Sequence, residues 1–273
     1  ATKLDVQGDA NVSGTLSVGS FQLGSASAAS MNITGEAVTF TGENGSLYQP
    51  VYGSDDDLVL YLPFSRGNKS SSTTVYDRSP YGNDGTCSGV SATFGCNWTT
   101  GKYGNALQFD GGDDIVNISN VPASSLTSFT LSFWAKTGAT GNDYIISWGN
   151  QRFCRLGGVT ANKVNCAVDG SSGGSATSTR DINDNKWHHI AITSTQSSQI
   201  LYFDSVAEGT ASETLNTTGD EVSIGYALAS GGISNYNGSL DEVMIYSRAL
   251  AAEEIRTHYL RGSGFGASGA ITA

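Results

Sequence analysis

The sequence predicts an all-β protein whose body is a two-sheet antiparallel sandwich, and three observations carry that prediction. Strand-like runs with alternating apolar positions recur at regular spacing from residue 57 onward, polar turns rich in Gly, Ser and Thr separate them, and only one segment near the C-terminus has helical spacing. Composition agrees, with Gly 35 and an aromatic share of 10% beside only 14 Lys plus Arg. Ser, Thr and Gly serve turns, while aromatic and β-branched residues fill pleated faces. At 273 residues the chain is long enough to bury a sizeable core.

Taken in order, the chain opens on a repeat. LDVQGD, ANVSGT and LSVGS place Leu4, Ala10 and Leu16 at the first position of a six-residue period, Val6, Val12 and Val18 at the third, and Gly8 and Gly14 at the fifth. Such a period predicts very short strands, each too small to bury its own face and dependent on neighbours. The pattern weakens and returns in MNITGE and AVTFTGENGS, and it resembles the low-complexity stalks of fibre proteins and surface adhesins. At the other end, the tail GSGFGASGAITA offers Phe265 and Ile271 as alternate pegs of a strand that adds to a neighbour's sheet.

Between these ends, DLVLYLPF places Leu58, Leu60 and Leu62 on one face, with Pro63 ending the ladder. GNALQFDGGDDIVNI sets Leu107 and Phe109 against Ala106, Gln108 and Asp110, and Gly111 and Gly112 turn the chain. SFTLSFWAKT alternates Phe129, Leu131 and Phe133 with Ser128, Thr130 and Ser132. Trp134 breaks the polar side of that strand and is read as a core or loop-covered ring rather than a sugar-stacking one. YIISWGN, KWHHIAITST, QILYFDS and EVSIGYA are further strands of similar length. SRALAAEEIRTHYL alone has helical spacing, with Leu250, Ile255 and Tyr259 on its apolar side and Ser247 as its expected start.

A net charge of −11 repels phosphate backbones and anionic lipid heads, which argues against nucleic-acid partners. No stretch approaches the length of a membrane span, and no basic, apolar leader opens the sequence, so membrane insertion is not expected. Cys87, Cys96, Cys154 and Cys166 fall in two close pairs, which suggests two disulfides that each close a surface loop, although four cysteines allow three connectivities. Zinc is the competing use, but the C-x-x-C spacing it needs is absent. Disulfides persist outside the reducing cytosol, so an extracellular, cell-surface or virion-surface location is expected. Sequons stand at Asn11, Asn32, Asn44, Asn68, Asn97, Asn117, Asn216 and Asn237, candidate glycosylation sites in a host that modifies exported chains.

Several stretches together resemble the laminin-G-like, concanavalin-A-like jelly-roll family: YDRSPYGNDGT, GKYGNALQFDGGDD, SFTLSFWAKT, NKWHHIAIT, LYFDS and GSLDEVMIYSRALAAEEI. The resemblance implies a jelly-roll sandwich over residues 57–261, while the six-residue period marks 1–50 as a repetitive β stalk or assembly segment and composition marks 262–273 as a Gly-rich tail. Two departures stand out. The Asp-Gly hairpin usual after LYF is Asp204-Ser205 here, which predicts a looser turn. Ala251 occupies the place of a usual Ser or Thr helix cap, which predicts a frayed or shifted start. The family likeness also implies that the Asp77 turn, the FDG turn and the DEV strand meet near one edge, where some relatives hold calcium. The candidate ligands are Asp77, Asn83, Asp110, Asp113 and Asp241.

Catalysis is not expected. Hydrolases of the wider fold resemble one another in a Glu-x-Asp-x-x-Glu run, because retaining hydrolysis needs two carboxyl groups about 5 Å apart, and no such run exists here. Asp241 and Glu242 are consecutive, so a regular strand would point them to opposite faces. His188 and His189 likewise face opposite ways, with one imidazole expected to pack beside Trp187. The leading expectation is an extracellular structural subunit that assembles with copies of itself into a fibre or filament and displays the sandwich. The alternative is a carbohydrate- or glycoprotein-binding adhesin or viral fibre head that engages surface glycans.

Overall fold

The structure, a computed structural model, describes residues 57–64, 73–89, 96–121, 126–149, 152–158, 160–167, 174–212, 219–226 and 235–260. The repeat with Val6, Val12 and Val18, the tail with Phe265 and Ile271, and the sequons at Asn11, Asn32, Asn44, Asn68 and Asn216 lie outside them.

Strands form at Leu58–Leu62 (β1), Thr74–Val75 (β2), Gly85–Ser88 (β3), Trp98–Thr100 (β4), Asn105–Asp110 (β5), Ile115–Ile118 (β6), Phe129–Lys136 (β7) and Tyr144–Trp148 (β8). They continue at Arg152–Leu156 (β9), Lys163–Ala167 (β10), Ser175–Asp181 (β11), His188–Ser194 (β12), Gln199–Phe203 (β13), Val206–Ala211 (β14), Val222–Ile224 (β15) and Asn237–Tyr246 (β16). One helix, Ala252–Leu260 (α1), follows. The strands make two eight-stranded sheets, one ordered β14-β13-β12-β7-β16-β5-β4 with β1 also on β16, the other β11-β10-β9-β8-β15-β6-β3-β2. All the strand pairings are antiparallel, so the two-sheet jelly-roll-like sandwich with one short C-terminal helix stands as predicted.

Period-2 alternation decides what fills the core. Phe129, Leu131 and Phe133 of β7 enter the space between the sheets with Phe109, Ile118, Trp148, Ile190, Phe203 and Ile245. Phe129 meets Trp148 edge-on, with centroids 5.2 Å apart, and burying a side chain of this size contributes roughly 1.5–3 kcal/mol.

The opposite side of β7 is not solvated, because α1 and the turn before it cover that face. Thr130 Oγ1 donates to the Arg248 carbonyl and accepts from Leu250 N–H, both at 2.8 Å. Leu250 and Ile255 pack with Leu58, Tyr61, Tyr202, Met244 and Tyr246. Trp134 stacks on Tyr259 of the helix at 5.7 Å, so its ring belongs to this packing.

The helix begins at Ala252 rather than Ser247. Ser247 Oγ is drawn to Asp57, whose backbone and side-chain oxygens it meets at 3.3 and 3.2 Å. Glu254 supplies half of a capping box instead, accepting the Ala251 N–H at 2.8 Å. Arg248 grips the same carboxylate in two bonds of 2.8 and 2.7 Å and, together with that N–H, holds it down to about 2. An alanine therefore serves as the cap residue because its N–H, not its side chain, is satisfied.

The two flanks of the sandwich are closed differently. On one, Glu208 of β14 accepts the backbone N–H groups of Thr179 (2.8 Å) and Arg180 (3.1 Å) of β11 and pairs with the Arg180 guanidinium. On the other, Cys87 of β3 bonds Cys96 just before β4, joining the two sheets. Cys154 and Cys166 are bonded too, but they stand directly opposite on β9 and β10 and are buried in the core. That bridge ties a buried ladder pair, not the surface loop that the spacing predicts.

Candidate functional site

Long β16 changes neighbours along its length, and this creates the first corner. Its start, Asn237 to Leu240, pairs with β5, whereas Val243 to Tyr246 pair with β1. At the handover the ladder to β7 bulges between Asp241 and Met244, and Glu242 adopts a left-handed φ of 51°. The bulge overturns the regular alternation expected for Asp241 and Glu242. Both are buried, Asp241 completely. Asp241 accepts the N–H groups of Tyr103 and Glu242 at 2.8 Å each, and Glu242 accepts the Tyr61 hydroxyl at 2.9 Å. Burial, then the charge of Glu242, pushes the Asp241 carboxyl well above the usual range. The pair clamps the β4–β5 turn and β1 onto β16.

Asp77 makes the second corner. Its Oδ1 accepts N–H groups from Tyr61 and Ser79 at 2.8 Å each, and its Oδ2 accepts the Ser79 hydroxyl at 2.7 Å and Asn83 N–H at 2.8 Å. Four donors fill a carboxylate's accepting capacity. Asn83 thus contributes a backbone donor to Asp77, and neither residue is presented with the acids of the FDG turn.

That turn is where acids gather. Asp110, Asp113 and Asp114 bring carboxylate oxygens within 4.8 Å of one another, the one such group of three metal-competent side chains among the described residues. Asp110 Oδ1 takes the Gly112 N–H at 2.7 Å, and Asp114 Oδ2 takes the Asp110 N–H at 3.1 Å. Burial, with a smaller push from Asp110 and Asp113, raises Asp114 against that hydrogen bond. The expected five-residue set therefore divides: Asp110 and Asp113 join, while Asp77 and Asp241 are spent on backbone donors. Sequence reading missed Asp114, although FDGGDD contains it and the Gly111–Gly112 turn folds it back on Asp110.

Beside this turn lies a shallow cleft that opens to solvent and has room inside for about one water molecule. Leu107, Phe109, Val116 and the Cys87–Cys96 bridge form its apolar part, and Ser88, Asn97, Gln108 and Asp114 are its polar groups. Gln108 is fixed by a 2.7 Å bond from Ser239 Oγ and by its own donation to the Phe109 carbonyl at 3.1 Å. Of the described sequons, Asn97 is exposed at the cleft, Asn237 is exposed at the start of β16, and Asn117 is half-buried in β6 between β3 and β15.

The two histidines do face opposite ways. His188 bridges Asp204 (2.9 Å) and Asp184 (3.0 Å), whereas buried His189 packs 5.3 Å from the Trp134 ring, not beside Trp187. Neither stands beside the cleft residues.

Residues 110–256, more than half of the chain, match the family described as the concanavalin A-like lectin/glucanases superfamily. The chain belongs to that superfamily. No curated protein matches it in sequence. Solved structures show the superfamily fold at low identity. The binding domain of botulinum neurotoxin DC in complex with SialylT has a TM-score of 0.56 and 16% identity, covering 76% of this chain and 52% of that one. Domain 4 of an extracellular arabinanase from Geobacillus stearothermophilus, in complex with arabinotriose, has a TM-score of 0.55 and 14% identity, covering 73% of this chain and 97% of that one. The binding domain of Paraclostridial Mosquitocidal Protein 1 has a TM-score of 0.55 and 17% identity, covering 76% and 52%. The chain thus spans about half the length of the toxin domains it matches, and nearly all of the arabinanase domain. Among the described residues, no helix is long and apolar enough to cross a membrane.

Proposed function

We propose that this superfamily member is a non-catalytic, extracellular carbohydrate-binding module whose ligand sits in the cleft beside the FDGGDD turn. The carrying observation is the make-up of the surface at this shallow cleft, where polar groups from Asn97, Gln108 and Asp114 surround the half-buried Cys87–Cys96 bridge and the core side chains Leu107 and Phe109 lie beneath. A sugar has the matching duality of CH faces and hydroxyl edges, and few fixed polar groups suffice to orient it. The arabinanase domain that carries arabinotriose shares this fold, which supports the ligand class. A hydrolase needs two carboxyl groups able to reach substrate, whereas Asp241 is wholly buried and Glu242 nearly so. Two disulfides favour an oxidising, extracellular setting.

The acidic turn supports a second element of this reading. An all-oxygen set from Asp110, Asp113 and Asp114 suits a hard cation such as calcium, and a bound ion would oppose both the burial and the smaller carboxylate repulsion that raise Asp114. Self-assembly through 1–50 and 262–273, and the division of the chain at those boundaries, rest on the six-residue period and tail composition alone.

The test is a neutral and acidic oligosaccharide array probed with the full chain, with calcium and with chelator. Binding of at least one saccharide, weakened about fivefold or more by Asn97→Ala, is the expected result. Retention of no saccharide under either condition would sink the reading, and equal binding with chelator would remove calcium from it.

A further inference from the structure

The corner that Asp77 locks also presents an organised outer face. From Tyr76 to Pro80 exposure alternates, with Tyr76, Arg78 and Pro80 outward and Asp77 and Ser79 buried, and Tyr81 follows outward. Among the described residues the large exposed apolar side chains are Tyr76, Tyr81, Val206 and Leu260, so two of these four fall within residues 76–81.

The backbone beneath them is fixed. Besides the four donors to the Asp77 carboxylate, Arg78 N–H bonds the Tyr61 carbonyl at 2.8 Å, and Asp77 N–H bonds Asp84 Oδ1 at 2.9 Å. The Arg78 guanidinium lies 5.3 Å from the Tyr76 ring centroid. It makes no ion pair among the described residues, whereas Arg180 and Arg248 are each spent on two carboxylates. Unlike Arg155, which also lies over aromatic rings but is half-buried and bonded to Asn165, Arg78 is exposed, so it presents positive charge outward on a chain of net charge −11.

The geometry points to a second saccharide-binding site at Tyr76, Arg78 and Tyr81, one that takes a carboxylated sugar. Tyr81 offers a ring on which the CH face of a pyranose packs, and Arg78 offers the two parallel N–H donors that fit a carboxylate. Tyr76 is a positioning residue, because its ring restricts the guanidinium through the cation–π contact. A pinned backbone and two-torsion tyrosines lower the ordering cost of binding. The site is separate from the cleft, and it shares with the reading above only the ligand class.

Titration calorimetry of the full chain with sialyllactose, with trigalacturonate and with neutral lactose tests it. Native protein is expected to bind at least one of the carboxylated saccharides more tightly than lactose. Arg78→Gln should weaken that binding about tenfold or more and abolish the preference, and Arg78→Lys should restore part of it, since Lys keeps the charge without the fork. Tyr81→Ala should weaken carboxylated and neutral sugars alike. The inference is overturned if native protein binds neither carboxylated saccharide, or if Arg78→Gln and Tyr81→Ala bind as native. Should saccharides bind and respond only to Asn97→Ala, this site fails while the cleft stands. Should nothing bind, the glycan reading itself fails.

Discussion

Asp204 and Ser205 occupy the left-handed region in succession, at φ 48° and 66°, although neither is glycine. The hairpin they form is tight rather than loose, since Phe203 pairs directly with Val206 across it and a two-residue turn of this hand requires positive φ at both positions. What holds Asp204 there is its side chain. Its carboxylate takes His189 N–H at 2.9 Å, contacts His188 Nδ1 at 2.9 Å and faces Arg180 at 3.5 Å. Among the described residues Ser205 has no such side-chain compensation and bears the strain alone, about 1 kcal/mol for an L-residue in this region. Ser205→Gly should therefore raise the unfolding free energy by roughly 0.5–1 kcal/mol in urea titrations. Asp204→Gly should lower stability although it relieves the same kind of strain. A destabilised Ser205→Gly would show that the serine hydroxyl matters more than its backbone.

At the scale of elements, the strands were legible because burial follows a period of two. Phe129, Leu131 and Phe133 enter the core as their alternation predicts, and Leu107 and Phe109 do the same on β5. Where a strand's partner changes, the period says nothing, and the bulge at Asp241–Glu242 sits where β16 passes from β5 to β1. The helix start was equally hidden, since a cap from Glu254 N3 back to Ala251 needs Arg248 in place to hold it. Likewise, no strand pattern reveals that β11 and β14, on different sheets, run in close approach. Gly209 makes that approach possible. A Cβ there would stand 2.5 Å from the Thr177 carbonyl oxygen and 2.7 Å from its nitrogen, both backbone atoms that cannot swing away. Gly209→Ala should accordingly cost about 2–3 kcal/mol and lower the thermal midpoint, with faster hydrogen exchange at Thr179 and Arg180. An unchanged midpoint would mean that the two edges separate at little cost.

For the whole molecule, the candidate site was half legible: FDGGDD announces its acids in one run, but the cleft beside it is lined by Cys87 and Cys96, which join opposite sheets in a way no local pattern encodes. The adjacent histidines show the same division, since alternation separates their faces but not the opposite electrostatic environments they enter. Burial lowers His188, but its hydrogen bonds to Asp204 and Asp184 outweigh burial and raise it above its ordinary value. Burial, reinforced by His258, takes His189 down to about 3. The signs follow from proton linkage. For His188 the native state holds the proton more tightly than the unfolded chain. Its stabilisation is fully present below the unfolded value near 6.5 and fades as pH rises through the higher folded value. For His189 the unfolded chain holds the proton more tightly, so stability falls as pH drops from 6.5 toward about 3, at up to about 1.4 kcal/mol per pH unit. Urea unfolding of native protein, His189→Phe and His188→Gln across the range from neutral to about pH 4.5 separates the two contributions. His189→Phe should remove about 2 kcal/mol or more of the acid-induced loss, because a phenyl ring fits beside Trp134 and Tyr259 without a proton to gain. His188→Gln should weaken the protein by about 1 kcal/mol at mildly acidic pH and converge on native behaviour in alkali. If His189→Phe loses stability in acid as steeply as native protein, the buried imidazole is not the group that limits this fold at low pH.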